Sequence, residues 1–134
     1  MKLKDQVAIV TGAGRGIGRA VALAFCREGA AVALAARTVS ELNAVAAEIK
    51  SRASGRALAV PTDVIREESV AALVEKVLAE FKRVDILVTA AGVAAFAPLV
   101  DTKPEDWDRM MAVNVRGVFL ACRAVLPAMM KERR

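Results

Sequence analysis

One short stretch, Thr11-Gly12-Ala13-Gly14-Arg15-Gly16-Ile17-Gly18, holds the first residues whose types and spacing could do chemistry. It follows a wholly apolar run, Val7-Ala8-Ile9-Val10, and opens an amphipathic segment, so a strand passes into a helix through a glycine-rich turn. Such a turn points backbone N–H groups and the positive end of the helix at a phosphate, and side chains on it would block the approach. The strand before and helix after are the context the pattern requires. Gly12, Arg15, Gly16, Ile17 and Gly18 are therefore candidate cofactor contacts. The plain alternative is a tight turn in an α/β protein that binds nothing.

The nature of the phosphate ligand follows from what lies further on. A dinucleotide fold specific for NAD places an acid about 20 residues beyond the turn, to bind the ribose hydroxyls. Here that position falls at Ala36-Arg37, and there is no acid. Arg37 at the end of the second strand and Arg15 in the turn could converge on a ribose 2′-phosphate and bind it by paired hydrogen bonds. The expected cofactor is NADP. The alternative for Arg37 is an ordinary exposed residue before a helix.

Absences exclude other chemistries. The chain has no His and no Tyr. Imidazole bases, His-dependent triads and most zinc catalysis are thereby ruled out, and no metal site is expected. Cys26 and Cys122 form no CxxC, which suits two free thiols in a reducing, cytoplasmic setting. The net charge of +5 invites a nucleic-acid reading, but basic and acidic residues alternate along the chain. The one dense basic run is Lys131-Glu132-Arg133-Arg134, with no aromatic residues interleaved for base stacking, so no nucleic-acid partner is expected. Met1-Lys2-Leu3-Lys4-Asp5 is polar too early for a signal peptide, and no uncharged apolar run reaches the ~18 residues of a membrane span.

The elements that would carry these residues repeat as strand then helix, four times. Strands are predicted at 7–10, 31–35, 57–60 and 84–88. The first helix is expected to bury Ile17, Val21, Ala24 and Phe25 and to stop at Gly29. The second carries Leu42, Val45, Ala46 and Ile49 inward. The third begins near Glu67-Glu68 and shows a long stripe of Val70, Leu73, Val74, Val77, Leu78 and Phe81. The fourth starts with Pro104 in its first turn and runs past Leu126, with Pro127 expected to kink or loosen it. Alternating βα units imply right-handed crossovers and a parallel sheet, in one domain of 134 residues.

At this point the chain resembles the classical short-chain dehydrogenase/reductase family, leaning toward its 3-oxoacyl carrier-protein reductases. The likeness rests on TGAGRGIG at 11–18, Asp63-Val64 after the third strand, Ala90-Ala91-Gly92 after the fourth, and Asn114 in the fourth helix. It implies a doubly wound Rossmann sheet with strand order 3-2-1-4 and adds support for NADP. It also implies that Asp63, with Val64, binds the adenine, that Ala90, Ala91 and Gly92 let backbone approach the cofactor, and that Asn114 belongs to the catalytic tetrad. Asp63 could instead cap a helix, and Asn114 could be a structural residue bonded to nearby backbone. Thr89 stands where the family has the first Asn of its NNAG, which removes side-chain bonds expected to brace the sheet there. Lys82 stands where a glycine is common; a non-glycine residue forced left-handed costs on the order of 1 kcal/mol.

The family's catalytic Tyr, Lys and Ser come after a fifth strand, and the sequence contains no Tyr. The reading is thus an NADP-dependent oxidoreductase of small carbonyl or alcohol substrates, represented by its cofactor-binding half and inactive alone. A non-catalytic nucleotide-binding or interaction module is the alternative. Val84, Ile86, Leu87 and Val88 would form an apolar sheet edge, and Val118, Phe119, Val125 and Leu126 an apolar helix surface. Both point to a chain that is oligomeric, aggregation-prone or only marginally folded unless a complementary C-terminal piece covers the edge, and a homo-oligomer is the expected assembly.

Overall fold

A computed structural model describes residues 1–52 and 55–133. Ala53, Ser54 and Arg134, the last member of the terminal basic run, lie outside them. Four strands, β1 (Val7–Thr11), β2 (Ala31–Ala36), β3 (Arg56–Pro61) and β4 (Ile86–Thr89), form one sheet. Helices α1 (Gly16–Arg27), α2 (Val39–Arg52) and α3 (Glu67–Phe81) connect them. After β4 a loop and a short 3-10 turn, Leu99–Asp101, lead to α4 (Pro104–Met111), a π-helical segment (Ala112–Arg116) and α5 (Gly117–Lys131).

All strand pairs are parallel and the order is β3-β2-β1-β4. The expected doubly wound arrangement is present, and its physical basis is visible strand by strand. All five residues of β1 are buried, as a strand covered on both faces must be. Its alternate side chains enter two cores. Val7 and Ile9 join Ala33, Leu73, Val77, Phe81 and Val125 under α3 and α5. Ala8 and Val10 join Val32, Leu34, Ala22, Leu23, Leu42 and Ile49 under α1 and α2. The short strand residues Ala31, Ala33 and Ala35 allow close helix approach.

The predicted stripe of α3 is observed: Val70, Leu73, Val74, Val77 and Phe81 are buried and Leu78 is half-buried. The face of α1 is not the predicted one. Gly18, Ala22, Leu23 and Cys26 are buried, Val21 and Phe25 only partly, and Ile17 and Ala24 are exposed. A close contact decides the rotation: a Cβ on Gly18 would lie 2.1 Å from the Gly12 carbonyl oxygen, so only this glycine can face the turn. Gly29, at φ +92°, ends the helix as predicted.

The fourth helix also differs from a plain α-helix. It starts at Pro104 as expected, but widens into π geometry across Asn114, and α5 continues through Pro127 to Lys131. The composite helix 104–131 is long and apolar enough to cross a bilayer by length and composition. Arg116 and Arg123 interrupt it, and Leu120, Ala121 and Val125 are buried in the protein.

Asp85 ties the amino ends of β1 and β4. Its carboxylate accepts hydrogen bonds from the Val7 N–H at 2.8 Å and from Arg83 Nε and Nη2 at 2.8 and 2.7 Å. Its own N–H donates to the Val7 carbonyl at 2.8 Å. Lys82, just before it, adopts φ +68° and donates its N–H to the Leu78 carbonyl, closing α3 in the left-handed conformation expected from the sequence.

Candidate cofactor site

In a parallel sheet wound in both directions, the loops leaving adjacent strands on opposite faces open a crevice at the carboxyl ends. Here that crevice lies between the turn after β1 and the loop after β4. The two are in contact. A Cβ on Gly12, which has φ +66°, would come within 2.6 Å of the Ala90 carbonyl and the Ala91 nitrogen. Glycine is thus required at 12 by conformation and by space.

Beyond Gly12 the turn opens. Gly16, at φ +58°, is the first residue of α1 and has nothing within 4 Å of the position a Cβ would take. The first turn of α1 has no acidic residue, and Arg15 precedes it in extended conformation with no side-chain cap. Its first backbone N–H groups have no intrahelical acceptor, and no carboxylate within the first turn offsets the positive helix end. The cradle fits a phosphate diester in shape and in charge. Ile17, 78% exposed, stands at its open side.

At the neighbouring corner, Arg37 follows the last residue of β2 and is exposed, as is Arg15. Neither enters an ion pair among the described residues. Asp63 lies in the turn after β3. Its Oδ1 accepts from the Ile65 N–H at 3.3 Å, its N–H donates to Ser69 Oγ at 2.9 Å, and its carbonyl accepts from the Arg66 N–H. The carboxylate thus organises the turn before α3 while remaining partly accessible. Val64 is buried at 8% exposure and packs on α5. Gly117 makes this contact, since a Cβ there would fall 2.9 Å from Val64 Cγ2.

The strand-four loop is braced by two residues. Thr11, the buried end of β1, accepts the Ala90 N–H on its carbonyl at 3.2 Å and the Ala91 N–H on Oγ1 at 3.4 Å. Thr89 pairs with it in the sheet but is exposed. The brace expected to be missing at 89 is supplied from β1. Asn114, from the π segment, donates Nδ2 to the Val93 carbonyl at 2.8 Å and accepts the Val93 N–H on Oδ1 at 2.9 Å. It is exposed, and its amide is satisfied on both sides by backbone. Gly92 lies beside it, with a Cβ position 3.4 Å from Asn114 Oδ1.

Thr11, Val93 and Gly117 join the site beyond the residues expected from the sequence. Thr11 was detectable as the one hydroxyl ending a buried strand. Gly117, a glycine inside an apolar helix, signals a close packing contact. Val93 carries no signal, because only its backbone is used. A cleft of about 440 Å³ lies at the other end of the sheet, against Ile49, Arg56 and Phe81, and shares no residue with this crevice.

Residues 6–134 match the family described as short chain dehydrogenase. A D-threitol dehydrogenase of Mycolicibacterium smegmatis is 42% identical over 125 residues, covering 92% of this chain and 47% of that protein. A metagenomic short-chain oxidoreductase solved in complex with NADP superposes with a TM-score of 0.93 at 43% identity, over 100% of this chain and 61% of its own. A 3-ketoacyl-ACP reductase from Sinorhizobium meliloti 1021 gives 0.89 at 40% identity, over 94% and 49%. The chain spans about half the length of the curated relatives it matches, between 43% and 55%. With a glycine cradle open at a helix start and a sheet ordered β3-β2-β1-β4, the chain belongs to the short chain dehydrogenase family.

Proposed function

We propose that these 134 residues are the NADP-binding half of a longer oxidoreductase that interconverts a carbonyl and an alcohol. The observation that carries the reading is the turn Gly12–Gly18, open at Gly16, with Arg15 and Arg37 exposed and in no ion pair among the described residues. When bound, NADP supplies the hydride-accepting or hydride-donating ring. The chain's own residues hold it. Backbone N–H groups of Gly16, Ile17 and Gly18 take the pyrophosphate, and Arg15 and Arg37 take the 2′-phosphate. Asp63 and Val64 border the adenine. Ala90, Ala91 and Gly92 would line the site from the loop after β4, and Ile17 from the start of α1.

Asn114 is assigned to the catalytic tetrad by its match to the family's pattern, and its two bonds to the Val93 backbone hold it beside the loop after β4. A proton must accompany the hydride, and the chain has neither Tyr nor His to move it near neutral pH. The acid must come from the remainder of a longer polypeptide, so the 134 residues alone are expected to turn over no substrate. The likeness to an NADP complex, to a D-threitol dehydrogenase and to a 3-ketoacyl-ACP reductase supports the cofactor and the substrate class. A cytoplasmic homo-oligomer fits the two unpaired thiols and the apolar surface of the last helices, where Val115, Phe119, Leu126 and Met130 are each about half exposed or more.

Titration with NADPH and NADH, followed by nucleotide fluorescence, tests the reading. NADPH is expected to bind tighter, and Ala36→Asp with Arg37→Leu to shift the preference toward NADH. Equal affinities before and after the change would refute it.

A further inference from the structure

The corner beside the two arginines also holds a carboxylate. β2 ends at Ala36 with no acid, but the first turn of α2 carries Glu41, which is half-buried. Its side chain lies over Gly14. A Cβ on Gly14 would meet Glu41 Cβ at 3.1 Å, Glu41 Oε1 at 3.6 Å and Ala36 Cβ at 3.7 Å. The lack of a side chain at 14 is what admits Glu41 there. Gly14 is followed directly by Arg15, and Ala36 by Arg37. The space over Gly14 is therefore bordered by one carboxylate and by Ala36, each cation is carried by the next residue along the chain, and none of the three charged side chains enters an ion pair among the described residues.

We infer that Glu41 sets the cofactor preference of this corner by opposing the two arginines. A carboxylate accepts a hydrogen bond from a free ribose 2′-hydroxyl and repels a 2′-phosphate at the same place. Glu41 takes the part of the missing acid at the end of β2, reached from the next helix instead. The preference for phosphorylated adenosine is smaller than Arg15 and Arg37 alone would give, and the unphosphorylated form is retained as a usable ligand. The inference rests on the NADP reading of the corner. A favourable interaction with the positive start of α2 also accounts for an acid at this position, but predicts no ligand discrimination.

The test uses two probes of the adenosine half, adenosine 2′,5′-bisphosphate and AMP, titrated by calorimetry into the full chain. Glu41→Gln keeps the size and packing of the side chain and removes its charge. It is expected to raise the ratio of the AMP to the bisphosphate dissociation constant by roughly three- to tenfold, more at low salt. Glu75→Gln, an exposed change of equal charge on α3, is expected to leave the ratio within about twofold. An unchanged ratio in Glu41→Gln, a fall, or an equal rise in both variants would overturn the role of Glu41. A wild-type chain that binds the two probes equally would refute the NADP reading, and a rise on Glu41→Gln would then still support its place at the ribose. Binding of neither probe would overturn both.

Discussion

Asn114 holds the backbone of Val93 at both polar groups, donating to its carbonyl at 2.8 Å and accepting its N–H at 2.9 Å. The pairing joins the π-helical segment to the loop after β4 across 21 residues. It mimics one rung of a sheet, made by a side-chain amide, and it can be met only by a group that both donates and accepts. Asn114→Asp keeps the acceptor and places a second oxygen against the Val93 carbonyl. It is expected to destabilise as much as Asn114→Ala, by about 1 kcal/mol for bonds at an exposed site. Urea unfolding measures the loss, and faster amide exchange confined to the 90–93 loop distinguishes it from general loosening.

The glycines of the cradle separate conformational cost from steric cost. Gly12 and Gly16 both have positive φ, but only Gly12 has backbone within 2.6 Å of a Cβ. Gly16→Ala is expected to cost about 1 kcal/mol of left-handed strain. Gly12→Ala adds a clash with Ala90 that neither loop can relieve, and is expected to cost at least about 3 kcal/mol and abolish nucleotide binding. Equal unfolding midpoints for the two variants would contradict this account.

Lys82 closes α3 at φ +68° with a side chain whose Nζ reaches only the exposed Ala79 carbonyl. Lys82→Gly is expected to stabilise the chain by about 0.5–1 kcal/mol, while Lys82→Ala, which keeps the strain, gains nothing. Parallel urea titrations of the two variants decide it.

Cys26 is buried against β3, where burial pushes its thiol from 9.0 up to about 11. The folded state keeps the proton that the unfolded state loses first. Its contribution to stability is therefore full below pH 9 and is lost as pH rises toward 11. Cys26→Ala is expected to flatten stability over that interval, although it lowers stability overall by leaving a small void. Alkylation by iodoacetamide at pH 8, read by peptide mass, is expected to label the half-buried Cys122 well before Cys26.

The local signals in the sequence were sufficient for the βα alternation, the glycine-rich turn from strand to helix, the stripe of α3 and the Gly29 stop. Each depends on residues within one or two turns of each other, where periodicity and backbone preference act directly. Tertiary structure alone decided which face α1 buries, because the close approach of Gly18 to the Gly12 carbonyl sets the rotation of the helix and is not visible in the spacing of its apolar residues. It also decided the braces on the strand-four loop. Thr11 and Ala91 are 80 residues apart, and Asn114 and Val93 are 21 apart. They meet only because β4 pairs beside β1, and the second of these contacts uses backbone groups that every residue type possesses. Glu41 over Gly14 belongs to the same class. Its type fits a helix start in any protein, and its place over Gly14 exists only once β1 and β2 lie side by side.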